Sequence, residues 1–169
     1  MTAGTDSKPD RPMTGVLKVT GANVPIPPPL YYGAVLAGGL ILQRLLPLDV
    51  PFRSVTAPAG AVGLAFGLAL NFGGVIEVAR HKTTIVPHHH VAALVTTGVY
   101  RFSRNPMYAG LAVAVGGASL LIGSWWPLIL LPGALLAVRL LGIDREERYM
   151  RQRFGSIYDE YRTRVPRWL

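Results

Sequence analysis

The chain has 169 residues, of which 50% are hydrophobic and 15% charged, and its mean hydropathy is +0.35. This composition is too apolar for an ordinary soluble domain of this length and predicts a membrane protein embedded in a lipid bilayer. Cysteine is absent, which excludes disulfides, thiolate metal sites and cysteine nucleophiles. The net charge of +8 would suit nucleic acid, but basic residues of membrane proteins more often mark the cytoplasmic face, so no nucleic-acid partner is predicted.

The chain divides into a polar tail and one apolar domain. Residues 1–29 are polar and contain six prolines, which predicts a flexible cytoplasmic tail. Residues 30–169 are predicted to form a single all-α, polytopic membrane domain. Apolar runs predict four transmembrane helices, at about 30–46, 57–79, 106–123 and 126–142.

The last two spans are predicted to form a tight hairpin. Residues 107–138 carry no charge, and a single helix of this length would reach about 48 Å, against a bilayer core of about 30 Å. The sequence GSWWP at 123–127 offers the break, because glycine and proline end and restart helices and tryptophan favours the interface. A second pattern, the small residues Gly63 and Gly67 with Gly110, Ala114 and Ala118, predicts close helix packing.

The basic residues predict the orientation of the four spans. Lysine and arginine number three in the tail, four in the connection 80–105 and eight from the end of the last span onward, against two on the other side. The positive-inside rule therefore predicts that both termini are cytoplasmic. Arginine outnumbers lysine, and Ala, Gly and Val are frequent, which favours a bacterium with a GC-rich genome and hence its inner membrane.

A polar segment stands immediately before the third span. Residues 94–110, LVTTGVYRFSRNPMYAG, are here named the first motif. Its Asn-Pro step predicts Asn105 as the N-cap and Pro106 as the first helical residue. The free N–H groups of a helix start favour an anion, and Arg101 and Arg104 add positive charge there.

The C-terminal segment 143–169 follows the last span without a linker. Up to Phe154 it is predicted to form a cytoplasmic amphipathic helix that Gly155 terminates. Glu147 and Arg151 are four residues apart, which predicts a salt bridge between them. Glu146 has Met150 at the same spacing and therefore no predicted basic partner. Residues 146–168, EERYMRQRFGSIYDEYRTRVPRW, are here named the second motif.

The two motifs and the short hairpin between them resemble the integral-membrane methyltransferases that include isoprenylcysteine carboxyl methyltransferase and the phospholipid N-methyltransferases. The resemblance covers roughly the C-terminal half of the chain. It implies that the motifs fold together into a pocket for S-adenosylmethionine that opens toward lipid. The implied activity is methyl transfer to a membrane-embedded acceptor: an isoprenylcysteine-like carboxylate, a lipid amine or another hydrophobic small molecule.

Carried over by position, the resemblance assigns cofactor binding to the following residues: Gly98, Tyr100, Arg104, Asn105, Pro106, Tyr108, Gly110, Glu146 and Glu147. Many members of the family have histidine where this chain has Asn105, which caps a helix but cannot titrate.

The expected roles follow from the chemistry of the cofactor. Arg104 and the helix start suit its carboxylate, and Glu146 or Glu147 suits its ammonium or ribose hydroxyls. Tyr100 and Tyr108 suit its adenine or sulfonium. The candidate catalytic residues are Arg104, Glu146 and Arg139: the arginines would orient an acceptor carboxylate, whereas an amine acceptor would need a general base such as a glutamate or tyrosine.

Two other functions fit parts of the pattern: a membrane reductase that uses NADPH, and a non-catalytic membrane scaffold. The four histidines, His81, His88, His89 and His90, predict a polar interfacial loop rather than a metal site, because consecutive histidines do not easily converge on one ion. Glu77 is a candidate functional carboxylate near the cytoplasmic end of the second span, where pairing with Arg80 is the alternative. The oligomeric state is left open.

Overall fold

The computed structural model describes residues 26–81 and 93–169, and this part of the chain confirms the predicted all-α fold. The helices are α1 (Pro28–Leu45), α2 (Arg53–Arg80), α3 (Pro106–Ile122), α4 (Trp126–Val138), α5 (Asp144–Phe154) and α6 (Ser156–Arg164). A 3₁₀ turn covers Gly98–Arg101, and a π-helical turn, Arg139–Ile143, joins α4 to α5. Most of the predicted tail and the histidines at 88–90 lie outside the described residues.

Two helices are long and apolar enough to cross a membrane: α2, and the continuous helix Trp126–Phe154 formed by α4, the π-helical turn and α5. Only 17% and 33% of their respective apolar windows are buried within the protein, so most of this apolar surface faces outward, as lipid contact requires. The third helix, α3, is apolar but shorter. Helix α1 is continuous, but its apolar sequence is interrupted near its end by Gln43 and Arg44.

The sequence GSWWP separates α3 from α4. Gly123 has a left-handed backbone (φ 87°), which suits glycine at the end of a helix, and α4 begins at Trp126 with Pro127 in its first turn. Gln43 of α1 accepts a hydrogen bond from Ser124 (2.8 Å) and donates one to Asp49 (2.7 Å). This end of the bundle, here named the hairpin end, is therefore held by a polar network that includes Gln43.

Helices α2 and α3 pack antiparallel at backbone contact. A Cβ atom on Gly60 would lie 2.5 Å from the amide nitrogen of Leu121 and 2.6 Å from the carbonyl oxygen of Gly117. A Cβ atom on Gly110 would lie 2.7 Å from the carbonyl oxygen of Gly67. The predicted small-residue packing is thus present, with Gly117 rather than the neighbouring Ala118 at the contact.

Helix α1 completes the bundle beside α3 and α4. The Tyr32 hydroxyl donates a hydrogen bond to the Tyr108 carbonyl (3.0 Å), and a Cβ atom on Gly39 would lie 2.6 Å from Cγ of Pro127. Tyr32, Val138 and Ile143 form part of one buried apolar cluster. The starts of α1 and α3 and the end of α2 therefore lie at the same end of the bundle, here named the site end.

Substituting alanine at Gly60 tests the close helix contact. We expect Gly60→Ala to destabilise the protein by about 1–3 kcal/mol, because the added methyl group meets the α3 backbone, which cannot give way as a side chain can. The measurement is the thermal unfolding midpoint in detergent. Gly133→Ala is the matched control, since a Cβ atom there meets nothing within 4 Å. Equal midpoints for the two variants would contradict the packing.

Candidate active site

The first motif reaches the site end as a 3₁₀ turn followed by the start of α3. Pro106 is the first residue of α3 and Asn105 occupies its N-cap position, as predicted. The Asn105 side chain, however, makes no capping hydrogen bond. Its Nδ2 atom donates instead to the carbonyl oxygen of Arg167 (3.2 Å), while its backbone N–H donates to the Ser103 hydroxyl (3.1 Å). Asn105 therefore joins the first motif to the C-terminus.

The C-terminal residues fold back over the first motif. The backbone N–H of Arg104 donates to the carbonyl oxygen of Pro166 (2.9 Å), and the Ser103 hydroxyl donates to that of Arg167 (3.2 Å). From α6, the Tyr161 hydroxyl donates to the carbonyl oxygen of Tyr100 (2.6 Å). The two motifs, which are separated in sequence by the hairpin, thus form one connected structure.

Glu147 pairs with two arginines at this junction. Its carboxylate accepts two hydrogen bonds from Arg167, at 3.1 and 2.6 Å, and Oε1 lies 2.9 Å from Nη1 of Arg104. Arg167 also pairs with Asp144 (3.0 Å). The side chains of Arg104 and Glu147 are each 11% exposed, so this pair is largely withdrawn from water.

Arg104 retains one unused donor. Its Nη1 atom is paired with Glu147, whereas its buried Nε atom has no hydrogen-bond acceptor in the described part of the chain. A buried donor without an acceptor is unfavourable, by about 1–3 kcal/mol or more for a charged group. Arg104 is therefore equipped to bind an anion.

Glu146 points away from the arginines. It accepts a hydrogen bond from the Tyr108 hydroxyl (2.6 Å) and has no ion pair within the described residues. A Cβ atom on Gly142, in the π-helical turn, would lie 4.0 Å from the same hydroxyl. Adjacent helix residues point about 100° apart, which explains why the two glutamates have different partners.

The ionisable groups near Glu146 have shifted pKa values. Glu146 lies in α5, beyond the apolar part of its helix. The pKa of its carboxyl group is raised, mainly by burial. The hydrogen bond from Tyr108 lowers this pKa, and the charge of Glu147 raises it further. Burial also raises the pKa of Tyr100, with further contributions from Tyr161, Glu146 and other acidic neighbours. Tyr100 is therefore a neutral hydroxyl at physiological pH.

The remaining predicted residues differ in their position. Gly98 has a left-handed backbone (φ 57°) in the 3₁₀ turn, and Gly110 is buried against Asn71 of α2. Arg139 begins the π-helical turn, is exposed and lies apart from the ion pairs around Glu147. The predicted pair of Glu147 and Arg151 is wrong: Arg151 pairs with Asp159 (3.1 Å), because Glu147 faces the buried Arg104 and Arg167.

Sequence reasoning missed three contributors to the site. Arg167 and Tyr161 belong to the second motif, but no local spacing pairs them with residues some sixty positions earlier. Tyr32 lies on α1, outside both motifs, and contacts the backbone of Tyr108. Its only sequence signal is an aromatic pair at the start of an apolar helix, which fits a membrane interface equally well.

The fold and the site define a small helical membrane protein with a polar site at one end of an apolar bundle. The profile of the phospholipid methyltransferase family matches residues 55–157, more than half of the chain. The chain therefore belongs to this family, which confirms the resemblance seen in the two motifs.

Individual relatives agree with this assignment. The protein-S-isoprenylcysteine O-methyltransferase of Schizosaccharomyces pombe is 34% identical over 73 residues, 43% of this chain and 31% of the relative. Protein-S-isoprenylcysteine O-methyltransferase B of Arabidopsis thaliana is 31% identical over 113 residues, 63% of this chain and 55% of the relative. The chain thus spans only about a third to a half of these relatives. No solved structure matches it significantly.

Removing the charge of Glu147 tests the buried ion pairs. We expect Glu147→Gln to destabilise the protein by about 3–5 kcal/mol, because Arg104 is left buried without a carboxylate. Glu160→Gln is the matched control: Glu160 pairs with Arg164, but both side chains are more than two-thirds exposed, so its loss is worth less than about 1 kcal/mol. Thermal unfolding of both variants in detergent measures the difference. A Glu147→Gln midpoint equal to that of the control would contradict the assignment.

Proposed function

We propose that this protein transfers a methyl group from S-adenosylmethionine to a membrane-embedded acceptor. The cofactor binds at the site end, between the first motif and α5. One observation carries the proposal: the buried Nε donor of Arg104 has no acceptor and Glu146 has no cationic partner in the described residues, and the connected motifs bring the two to the same end of the bundle. A guanidinium with a free N–H donor and a carboxylate without a cationic partner at one site suit a ligand that carries both charges.

The chemistry of the cofactor fits these residues. S-adenosylmethionine carries a carboxylate, an ammonium and a cationic sulfonium. The Nε donor of Arg104 would hold the carboxylate, and Glu146 would hold the ammonium. Glu147 would keep Arg104 in place and is itself occupied by Arg104 and Arg167, so the ligand role of the glutamate pair falls to Glu146.

When bound, the cofactor supplies a methyl group that is activated for displacement by the positive charge on sulfur. The protein aligns the acceptor and excludes water, and no covalent intermediate with a side chain is needed. The C-terminal residues help to exclude water, since Trp168 packs against the buried cluster around Tyr32 and Tyr108. Tyr108 and Tyr100 would line the site as neutral aromatic surface.

The methyl acceptor in this proposal is a lipid or a lipidated group in the membrane. The relatives are named for S-isoprenylcysteine, and the family is named for phospholipids. A carboxylate acceptor is already nucleophilic and needs a cation, for which Arg139 is the candidate, because Arg104 holds the carboxylate of the cofactor. An amine must first lose a proton, and Tyr100 does not suit the role of base, because its raised pKa keeps it protonated.

The proposed membrane topology has four crossings, by α1, α2, α3 and the helix that begins at Trp126. The excess of basic residues in the tail, in the connection 80–105 and after the last span supports a cytoplasmic location for the site end and both termini, in agreement with a water-soluble donor. The acceptor would then reach the site end from the bilayer, along the apolar surface of the bundle, and meet the donor there. A bacterial inner membrane is the proposed location.

Calorimetric titration of the detergent-solubilised protein with S-adenosylmethionine tests the cofactor. We expect micromolar binding of S-adenosylmethionine and of its demethylated product, and none of NADPH. Glu146→Gln should weaken binding about tenfold or more, the loss expected for one contact with a charged group. Glu160→Gln is the control for charge alone, since Glu160 lies on the exposed side of α6.

Other results of this titration identify the alternatives. Binding of NADPH alone would support a reductase, and no binding of any of the three by the folded protein would leave a scaffold.

The raised pKa of Glu146 predicts a pH dependence of binding. The protonated carboxyl cannot attract an ammonium, so affinity for S-adenosylmethionine is full above the raised pKa and falls as the pH is lowered through it. We expect this fall to begin at a higher pH than for an ordinary glutamate, whose pKa is about 4.3. Titrations over a pH series measure it. Glu146→Gln should lose the dependence, and an unchanged slope in this variant would show that another group is responsible.

A further inference from the structure

Glu77 is a buried carboxylate that the proposed function does not use. It lies in the last turn of α2 and is 9% exposed. Its nearest basic groups are Arg80 Nη1 at 3.6 Å and His81 Nδ1 at 3.8 Å, and the Arg80 side chain is 72% exposed. These distances are those of ion pairs rather than hydrogen bonds, so the pairing with Arg80 leaves the hydrogen-bonding capacity of the carboxylate for another group.

The carboxylate is directed at the 3₁₀ turn of the first motif. The Thr97 hydroxyl donates a hydrogen bond to Oε1. A Cβ atom on Gly98 would lie 2.7 Å from Oε2 and 2.8 Å from Cδ, so the carboxylate packs directly on the Gly98 backbone. Glycine suits this position for two reasons: a side chain would collide with the carboxylate, and the backbone is left-handed (φ 57°).

Thr97 links Glu77 to Tyr100 through the backbone of the turn. Thr97 is the N-cap of the 3₁₀ turn, and its carbonyl oxygen accepts a hydrogen bond from the Tyr100 N–H (3.0 Å). On the far side, the Tyr161 hydroxyl holds the Tyr100 carbonyl oxygen (2.6 Å). The turn is therefore fixed from α2 at its start and from α6 at its end.

We propose that Glu77 is a positioning residue for the cofactor segment. Its carboxylate holds Thr97 and Gly98 in the left-handed turn and so sets the position of Tyr100, without itself touching the cofactor. This inference rests on the proposed function, because it gives the turn its role in binding S-adenosylmethionine. It adds α2, which lies outside both motifs, to the elements that build the site.

Hydrogen exchange of the ligand-free protein tests the positioning by itself. Glu77→Met removes the acceptor with little change in length, and Thr97→Val removes the donor with little change in shape. Each should speed amide exchange at 98–101 about tenfold, the factor for one lost hydrogen bond to a charged group, and leave α3 and α4 unchanged. Glu77→Gln and Thr97→Ser keep an acceptor and a donor, so both should change exchange less than Glu77→Met and Thr97→Val, with Thr97→Ser nearest to the wild type because it also keeps the charged acceptor.

Calorimetry with S-adenosylmethionine then tests the link to the cofactor. Glu77→Met and Thr97→Val should each weaken binding about tenfold, and the double variant no further than either alone, because both remove the same contact. Unchanged exchange at 98–101 in both variants would overturn the positioning role whether or not the cofactor binds. Faster exchange with unchanged affinity would overturn the link to binding. Failure of the wild type to bind would overturn the proposed function and this inference with it.

Discussion

A buried guanidinium needs a carboxylate beside it, and at the site end of this protein Glu147 supplies that carboxylate to Arg104. The same glutamate binds Arg167 with two hydrogen bonds. Three separate parts of the chain, the start of α3, the start of α5 and the C-terminus, therefore meet at one side chain. Separating them would leave charges buried without partners, so the two motifs stay together even though most of the bundle presents its surface outward.

The close contact of α2 and α3 fixes how far the two helices are shifted along each other, and so determines which polar groups of α2 meet the first motif. Glycines on both helices bring the backbones together, and a shift along the axis would replace them with larger side chains such as Leu64 or Leu120. With this register, Asn71 of α2 donates to the Met107 carbonyl oxygen (3.1 Å), and Glu77, about two turns further, reaches the 3₁₀ turn. Helix packing in the apolar region thus determines polar contacts at its end.

The sequence predicted features that depend on local geometry. The helix start at Pro106, the break at Gly123 and the end of α5 before Gly155 follow from the backbone preferences of proline and glycine. It did not predict partners, because these depend on which segments meet. Asn105 was expected to cap α3 and binds Arg167 instead, and Glu147 was expected to pair with Arg151 along the helix. In both cases a tertiary contact with a buried group replaced a weaker local one.

The paired glutamates show most clearly what the sequence leaves open. Both were candidates for the same role, yet Glu147 faces the arginines and Glu146 faces Tyr108. The π-helical turn Arg139–Ile143 contributes to this difference, because a π turn contains an extra residue and rotates everything after it by about 100°. In an uninterrupted α-helix of the same residues, Glu146 would take roughly the direction that Glu147 has now. The division of roles between two adjacent carboxylates therefore depends on a backbone irregularity several residues earlier, which lies beside Tyr108 and which neither motif contains.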